Sequence, residues 1–247
     1  MAISTTDVLA LRAALAPRRV LRVALNHANF LLVTAPAPEG RGVAADLGRE
    51  MAARLGVEAV FVGYEHAGLV ADAAPLDAWD VAFIGADAAR SDVLFSPAYV
   101  GIEATYLVRS TLAATCTPEV DRPGVRIAVA DRSAYHLALQ RIVQHAILVP
   151  APGLPASEAR FIAEELDALA GLRPHLMNVA ARVADVRVLD DAFLTVQQAI
   201  GVPRARELAA PWVAQFAREV VSSGLVARLV AQHGVQGLVV GDAGERA

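Results

Sequence analysis

Lysine is absent from this 247-residue chain: all 22 basic residues are arginine. That excludes a Schiff-base lysine and the lysine of a Walker-type phosphate loop. Cys116 is the single cysteine, so no internal disulfide forms and no thiolate cluster holds zinc. The six histidines (His27, His66, His136, His145, His175 and His233) are dispersed without a short His-x-x-x-His pair, which argues against a metal centre. No run of about 18 apolar residues is uninterrupted, so no membrane span is expected. Residues 1–19 lack a basic start followed by an apolar run and do not read as a secretory signal. A Gly-x-Ser-x-Gly elbow and a dinucleotide glycine fingerprint are also missing. The formal charge of −4 is spread with both signs interspersed, which disfavours nucleic acid and anionic membrane surfaces as partners.

What is present is 55% hydrophobic residues, few of them aromatic, arranged in alternating strand-like and helix-like segments. That pattern predicts an α/β fold. Strands are expected at Leu21 to Leu25, Glu58 to Val62 and Trp79 to Ile84, with a helix from Val43 to Leu55 ending at Gly56 and a short one from Glu65 to Ala74. This is a β-α-β-α-β unit, which implies parallel strands. Asp7 to Leu15 reads as a helix capped by Thr5 or Thr6.

Gly101 to Val108 is β-prone, and a second strand–helix series runs from Val125 to Leu189. Ala192 to Gly201 carries the chain back. Arg206 to His233 reads as helix broken near Ser222-Ser223-Gly224, and the last ten residues as mobile. The expected division is a discontinuous first lobe, 20–106 plus 198–240, a second lobe, 107–197, and an N-terminal extension, 1–19, with a ligand cleft between the lobes.

One segment carries chemistry. After the strand ending at Gly85, Asp87 is expected to open a helical turn and Arg90 to point back to the same spot. Free amides at a helix start together with a guanidinium would clamp a small carboxylate. The plainer alternative is that Asp87 caps a helix and Arg90 is a solvated surface charge.

The order of these pieces resembles the bacterial extracellular solute-binding proteins of family 3, the amino-acid receptors of ABC transporters. The resemblance rests on Leu21-Arg22-Val23-Ala24-Leu25, Arg41-Gly42-Val43-Ala44-Ala45-Asp46-Leu47, Trp79-Asp80-Val81-Ala82-Phe83-Ile84, Ala89-Arg90, Phe95-Ser96-Pro97-Ala98-Tyr99, Gly124-Val125-Arg126-Ile127-Ala128-Val129 and Leu166-Asp167-Ala168. It covers about Val20 to Val235.

The resemblance implies a two-lobed type II periplasmic-binding-protein fold, each lobe a mainly parallel sheet flanked by helices, and no cofactor. It implies capture of a small carboxylate-bearing metabolite for transport or sensing, with an ABC permease as the candidate partner and a monomer favoured. Periplasmic location follows by resemblance; the cytoplasm is the alternative for a chain without a recognisable signal.

Arg90 matches the family's carboxylate-binding arginine, Gly85 its backbone partner, and Ser133 part of a second-lobe Gly-Ser-Thr turn that reads Arg132-Ser133-Ala134 here. Where the family often places an acid for the ligand's ammonium, this chain has Gly171-Leu172-Arg173-Pro174. Arg173 is expected to repel an ammonium or to serve as a second anion contact, which makes an ordinary α-amino acid a doubtful ligand. Glu65 or Glu103 is the candidate to meet an amine instead. Asn26 and Asn29 are candidate readers of polar groups, Tyr64 or His66 a wall, and Gln197 a further donor. The competing functions are an enzyme of lyase or dehydratase type, with Glu103, Glu65 or His27 as candidate acid or base, and a regulatory module that has lost transport coupling.

Overall fold

A computed structural model describes residues 5–241, with side chains from residue 9 onward. The expected cap at Thr5 or Thr6 and the tail beyond 241 lie outside these described side chains and residues. In chain order the elements are α1 (Thr5–Leu15), β1 (Val20–Asn26), α2 (Val43–Leu55), β2 (Glu58–Tyr64), α3 (Ala67–Asp72), β3 (Val81–Gly85), β4 (Val93–Phe95) and β5 (Val100–Arg109). There follow β6 (Arg126–Ala130), α4 (Ala134–Ile142), β7 (Ile147–Ala151), α5 (Gly153–Ala163), β8 (Ala168–Leu172), α6 (Arg173–Ala180), β9 (Val186–Val188) and β10 (Leu194–Pro203). The chain ends in α7 (Ala210–Ser222), α8 (Leu225–Gln232) and β11 (Leu238–Val240). The last strand corrects the expectation that the chain is mobile from 238 onward. Three apolar residues there are enough for a short strand.

The chain divides into two compact units, residues 1–100 with 197–235 and 240–247, and residues 101–196 with 236–239. In the first unit β1 pairs in parallel with β2 (Asn26 level with Tyr64) and with β3 (Leu25 level with Phe83). β10 then runs antiparallel to β3, Gln198 opposite Gly85. β3 is buried along its whole length, which is why Val81–Gly85 reads as a continuous apolar run. β2 lies at the sheet edge and alternates between exposed and covered positions.

The helix between β1 and β2 lies close to the sheet because residue 48 is glycine: a Cβ there would come within 3.0 Å of Val23 Cγ1. Gly42 sets where that helix begins. Its φ of 112° is closed to other residues, and a Cβ would press to 2.4 Å of the Leu32 carbonyl oxygen. A core of Val70, Trp79, Ala82 and Ile84 fills the space under α3, with Trp79 Nε1 donating to Val70 O at 2.9 Å.

In the second unit β6 pairs in parallel with both β7 and β8, β8 runs antiparallel to β5, and β9 lies antiparallel along β5. Leu107, Ala128, Phe161, Leu166, Leu169 and Leu176 form its core.

Candidate functional site

In the first unit the carboxyl ends of three parallel strands lie side by side, so the loops after Asn26, Tyr64 and Gly85 emerge at one edge of the sheet. That edge is where open α/β sheets bind ligands. β10 enters the same edge from Gln197, whose carbonyl accepts the Ala86 N–H at 2.8 Å.

Asp87 opens a single turn that does not continue into a helix. Arg90 N–H donates to Asp87 O at 3.1 Å and Ala89 N–H to Asp87 Oδ1 at 2.9 Å, so residues 87–90 make a single self-closed turn. Asp87 Oδ1 closes that turn, and no helix starts between β3 and β4. The amide after Gly85 is likewise committed to Gln197. The sequence signal misled because an aspartate that closes a turn on its own backbone looks like one that caps a helix.

Arg90 itself is buried, 6% exposed, which overturns the solvated-charge alternative. Its Nη1 donates to Ala67 O at 2.8 Å, tying the turn to the first residue of α3. The guanidinium also lines a hollow of about 380 Å³ with Ala86, Asp87, Ala88, Ser91, Val93, Phe95, Gln197 and Arg204. Gln197 Oε1 is buried and lacks a hydrogen-bond partner. Arg204 was not among the sequence candidates; it follows the proline that ends β10 and donates from Nε and Nη2 to Ser91 O at 3.0 and 2.9 Å.

The other first-unit candidates divide sharply. Asn29 is 6% exposed and its Oδ1 has no partner, so it is available to a bound group. Asn26 is buried too, but its Oδ1 accepts the Ala28 N–H at 3.1 Å and shapes its own loop. His66 precedes α3, and its Nδ1 is buried without a partner. Tyr64 packs against the Trp79 core; burial pushes its hydroxyl pKa up, Arg22 opposing. Glu65 is exposed and does not supply an inward charge. His27 Nε2 accepts the Ala37 N–H at 3.3 Å.

The second unit holds Ser133 and Arg173, and both are engaged by groups of the protein itself. Ser133 N–H donates to Ala130 O at 3.3 Å, and its Oγ accepts His136 N–H at 3.0 Å as the N-cap of α4. The serine is thus a helix N-cap, and its amide is already bonded within the turn.

Arg173 is a structural clamp. Its Nε donates to Glu103 Oε2 at 2.6 Å, Nη1 to Leu189 O at 2.7 Å, and Nη2 to Asp190 O at 2.8 Å and Asp191 O at 3.0 Å. Thr105 Oγ1 donates to Asp191 O at 2.7 Å, and the Asp191 carboxylate receives Thr117 N–H and Oγ1 at 2.8 Å each. The segment that feeds β10 is thus fixed from three sides. Arg173 therefore has its countercharge within the protein, and Glu103 is held by it. A residue 70 positions away supplied the countercharge, which local spacing could not reveal.

Truncating Arg173 to alanine is expected to cost about 1–3 kcal/mol of stability, since three carbonyls and a carboxylate lose a charged donor. Ligand affinity should be unchanged. Denaturant titration beside calorimetry separates the two; an affinity loss of roughly tenfold or more would return Arg173 to the ligand site.

Two histidines, His136 buried and His175 partly buried, set an acid limit. Burial holds His136 below its ordinary 6.5, Asp131 pulling the other way. Burial also lowers His175, where Glu158 opposes and Arg182 reinforces the shift. Both rings stay neutral in the fold at a pH where the unfolded chain takes up protons. Their contribution is therefore full above about pH 6.5 and falls away as pH drops through the folded values. Thermal unfolding is expected to move to lower temperature between pH 7.5 and 5, less steeply in His175→Phe; an unchanged slope in that variant contradicts the assignment.

Among the described residues no group of three His, Cys, Asp or Glu side chains is arranged to hold a metal ion, and no helix is long and apolar enough to cross a membrane.

No protein-family model matches the sequence, and no curated protein matches it. Solved structures do. A mutant of the arginine-binding protein ArgBP from T. maritima superposes with a TM-score of 0.74 at 18% identity, over 92% of this chain and 100% of that one. An ancestral amino acid-binding protein, described as a precursor of cyclohexadienyl dehydratase, gives 0.71 at 20% identity, over 90% and 98%. The amino acid ABC transporter substrate-binding protein AbpA from Streptococcus pneumoniae, bound to L-arginine, gives 0.70 at 17% identity, over 90% and 99%. At these identities the likeness is one of architecture: the chain has the type II periplasmic-binding-protein fold of the substrate-binding proteins of amino acid ABC transporters.

Proposed function

We propose that this chain is a solute-binding protein that captures a small carboxylate-bearing metabolite, amino acid-like or a simple organic acid, for ABC-type transport or for sensing. The observation that carries the reading is the carboxyl-end edge of the first unit's sheet. There a buried guanidinium, Arg90, lines a hollow with Gln197, whose Oε1 is unpaired. Buried polar atoms without partners are costly, and a bound ligand that completes them offsets that cost.

In this reading Arg90 is the carboxylate contact, and Asn29, His66 and Gln197 read the rest of the molecule. Because Arg173 is neutralised by Glu103, the objection to an α-amino acid on grounds of repulsion lapses. The neutral Oδ1 of Asn29 and Oε1 of Gln197 can accept hydrogen bonds from an ammonium. Periplasmic location and delivery to a permease belong to the same reading.

Native mass spectrometry of the purified protein, followed by a calorimetric screen of amino acids and organic acids, tests it. One carboxylate should bind in a 1:1 ratio at roughly micromolar affinity or tighter. Failure of every carboxylate, with binding of a neutral or cationic solute instead, overturns it.

The enzyme reading has one specific observation in its favour, the likeness to a dehydratase precursor. Its three candidate groups are otherwise placed: Glu103 in an ion pair, Glu65 at the surface, His27 accepting a backbone amide. Incubating the captured ligand with the protein and following it by NMR discriminates, since a receptor returns the ligand unchanged.

A further inference from the structure

The turn that leads into α4 is built around a histidine whose two neighbours want opposite protonation states. Arg132 stands at φ 56°, a left-handed conformation that a residue with a Cβ adopts only under constraint. The constraint is visible: Arg132 N–H donates to His136 Nδ1 at 2.9 Å. Only a neutral ring carrying its proton on Nε2 can accept that bond. Asp131 Oδ1 lies 3.3 Å from the same Nδ1, where it can receive a proton but not give one.

We propose that His136 is a positioning residue: its neutral ring holds the Asp131–Ser133 turn in place, and its protonation releases Arg132 and engages Asp131. A proton added to Nδ1 occupies the lone pair that Arg132 N–H uses. Two N–H groups then face each other at 2.9 Å, while the new N–H can swing to the carboxylate.

The geometry makes this an exchange of partners rather than a simple loss. Asp131 is tied through its own N–H to Ala151 O at 2.8 Å, and His136 N–H to Ser133 Oγ at 3.0 Å, so ring and carboxylate stay close whichever bond is made. Among the described residues Asp131 is the one carboxylate within ion-pair distance of the ring. The strand packed on α4 is β8, whose residues 168–172 include nothing titratable, and Arg141 further along α4 is exposed. The ring is 4% exposed, so solvent does not absorb the change. The inference stands on this turn alone and goes beyond the ligand reading; a failure of carboxylate binding leaves it intact.

Two-dimensional NMR of the intact chain between roughly pH 8 and 4.5 tests it without a ligand. The Arg132 amide shift should titrate with the His136 ring, and its exchange protection should fall roughly tenfold as the ring charges. His136→Asn places an amide oxygen near the position of Nδ1 and cannot titrate; its Arg132 protection should stay constant with pH. Asp131→Asn, at a half-exposed position, keeps the turn and should move the ring's titration to lower pH. The proposal is overturned if the ring titrates while the Arg132 amide is indifferent, or if the pH response persists in His136→Asn. Should that variant fail to fold, Asp131→Asn decides alone: an unmoved titration rejects the exchange.

Discussion

Replacing Asp80 by alanine should destabilise the protein by about 3–5 kcal/mol, the usual consequence of removing one partner from a buried ion pair. The side chain is 1% exposed. Oδ2 receives Arg22 N–H at 2.8 Å and Arg22 Nε at 3.1 Å; Oδ1 receives Arg22 Nη2 at 2.7 Å and Arg206 Nη2 at 2.8 Å. Asp80 N–H in turn donates to Arg22 O at 2.9 Å. One carboxylate therefore fixes the entry to β3 against β1 and draws in Arg206, whose Nη1 reaches Ala14 O at 2.9 Å. Losing it leaves a backbone amide and two guanidinium groups short of a partner inside the first unit.

Asp77 is the internal control. It touches Arg18, Arg22 and Arg206, and those arginines hold its carboxyl well below the usual carboxylate range, but its side chain is 54% exposed. Solvent screens exposed pairs, so Asp77→Ala should cost under about 1 kcal/mol. Equal losses for Asp77→Ala and Asp80→Ala in denaturant melts would refute the ranking. A larger loss for Asp77 would show that the number of partners outweighs burial here.

The cluster also shows why the fold could be read from the sequence and the site only in part. Periodicity and punctuation are local signals. Val43–Leu55 shows its apolar spacing and stops at Gly56, whose αL conformation lets its N–H return to Ala52 and Ala53 carbonyls. The buried run before Gly85 and the break at Ser222-Ser223-Gly224 are equally local, and each appears where the pattern put it. Site chemistry depends on which distant group a polar atom meets. Asp87 turned on its own amides, Ser133 capped a helix, and Arg173 found Glu103 and three carbonyls. Nothing in a hydrophobic pattern encodes those pairings. The residues that remain as candidates are those whose polar atoms lack local partners, Asn29, His66 and Gln197. Together with Arg90 they lie at the same sheet edge, Asn29, His66 and Arg90 on loops and Gln197 on β10, and only β1, β2, β3 and β10 in register bring them there.

Arg90→Ala should weaken capture of the carboxylate ligand by about 2–5 kcal/mol, on the order of 30-fold to several thousand-fold in Kd. Desolvation sets the size of this loss. A guanidinium that is 6% exposed has already lost most of its hydration in the fold, so an incoming carboxylate recovers a charge-assisted bond without the full cost of drying the cation. Its bond to Ala67 O holds the side chain in place beforehand, which lowers the ordering cost of binding. Arg90→Lys keeps the charge but loses the planar fork and should recover only part of the affinity.

The same bond means that Arg90→Ala also loosens the link to α3, so stability must be measured beside affinity. A loss of about 1–2 kcal/mol in folding with no change in Kd would assign Arg90 to structure alone. Arg204→Ala supplies the contrast: its guanidinium lines the same hollow but grips Ser91 O from an exposed position, and its removal should change affinity less than threefold or so. If Arg204→Ala proves the more damaging of the two, the carboxylate sits at the outer wall of the hollow and the assignment of Arg90 is wrong.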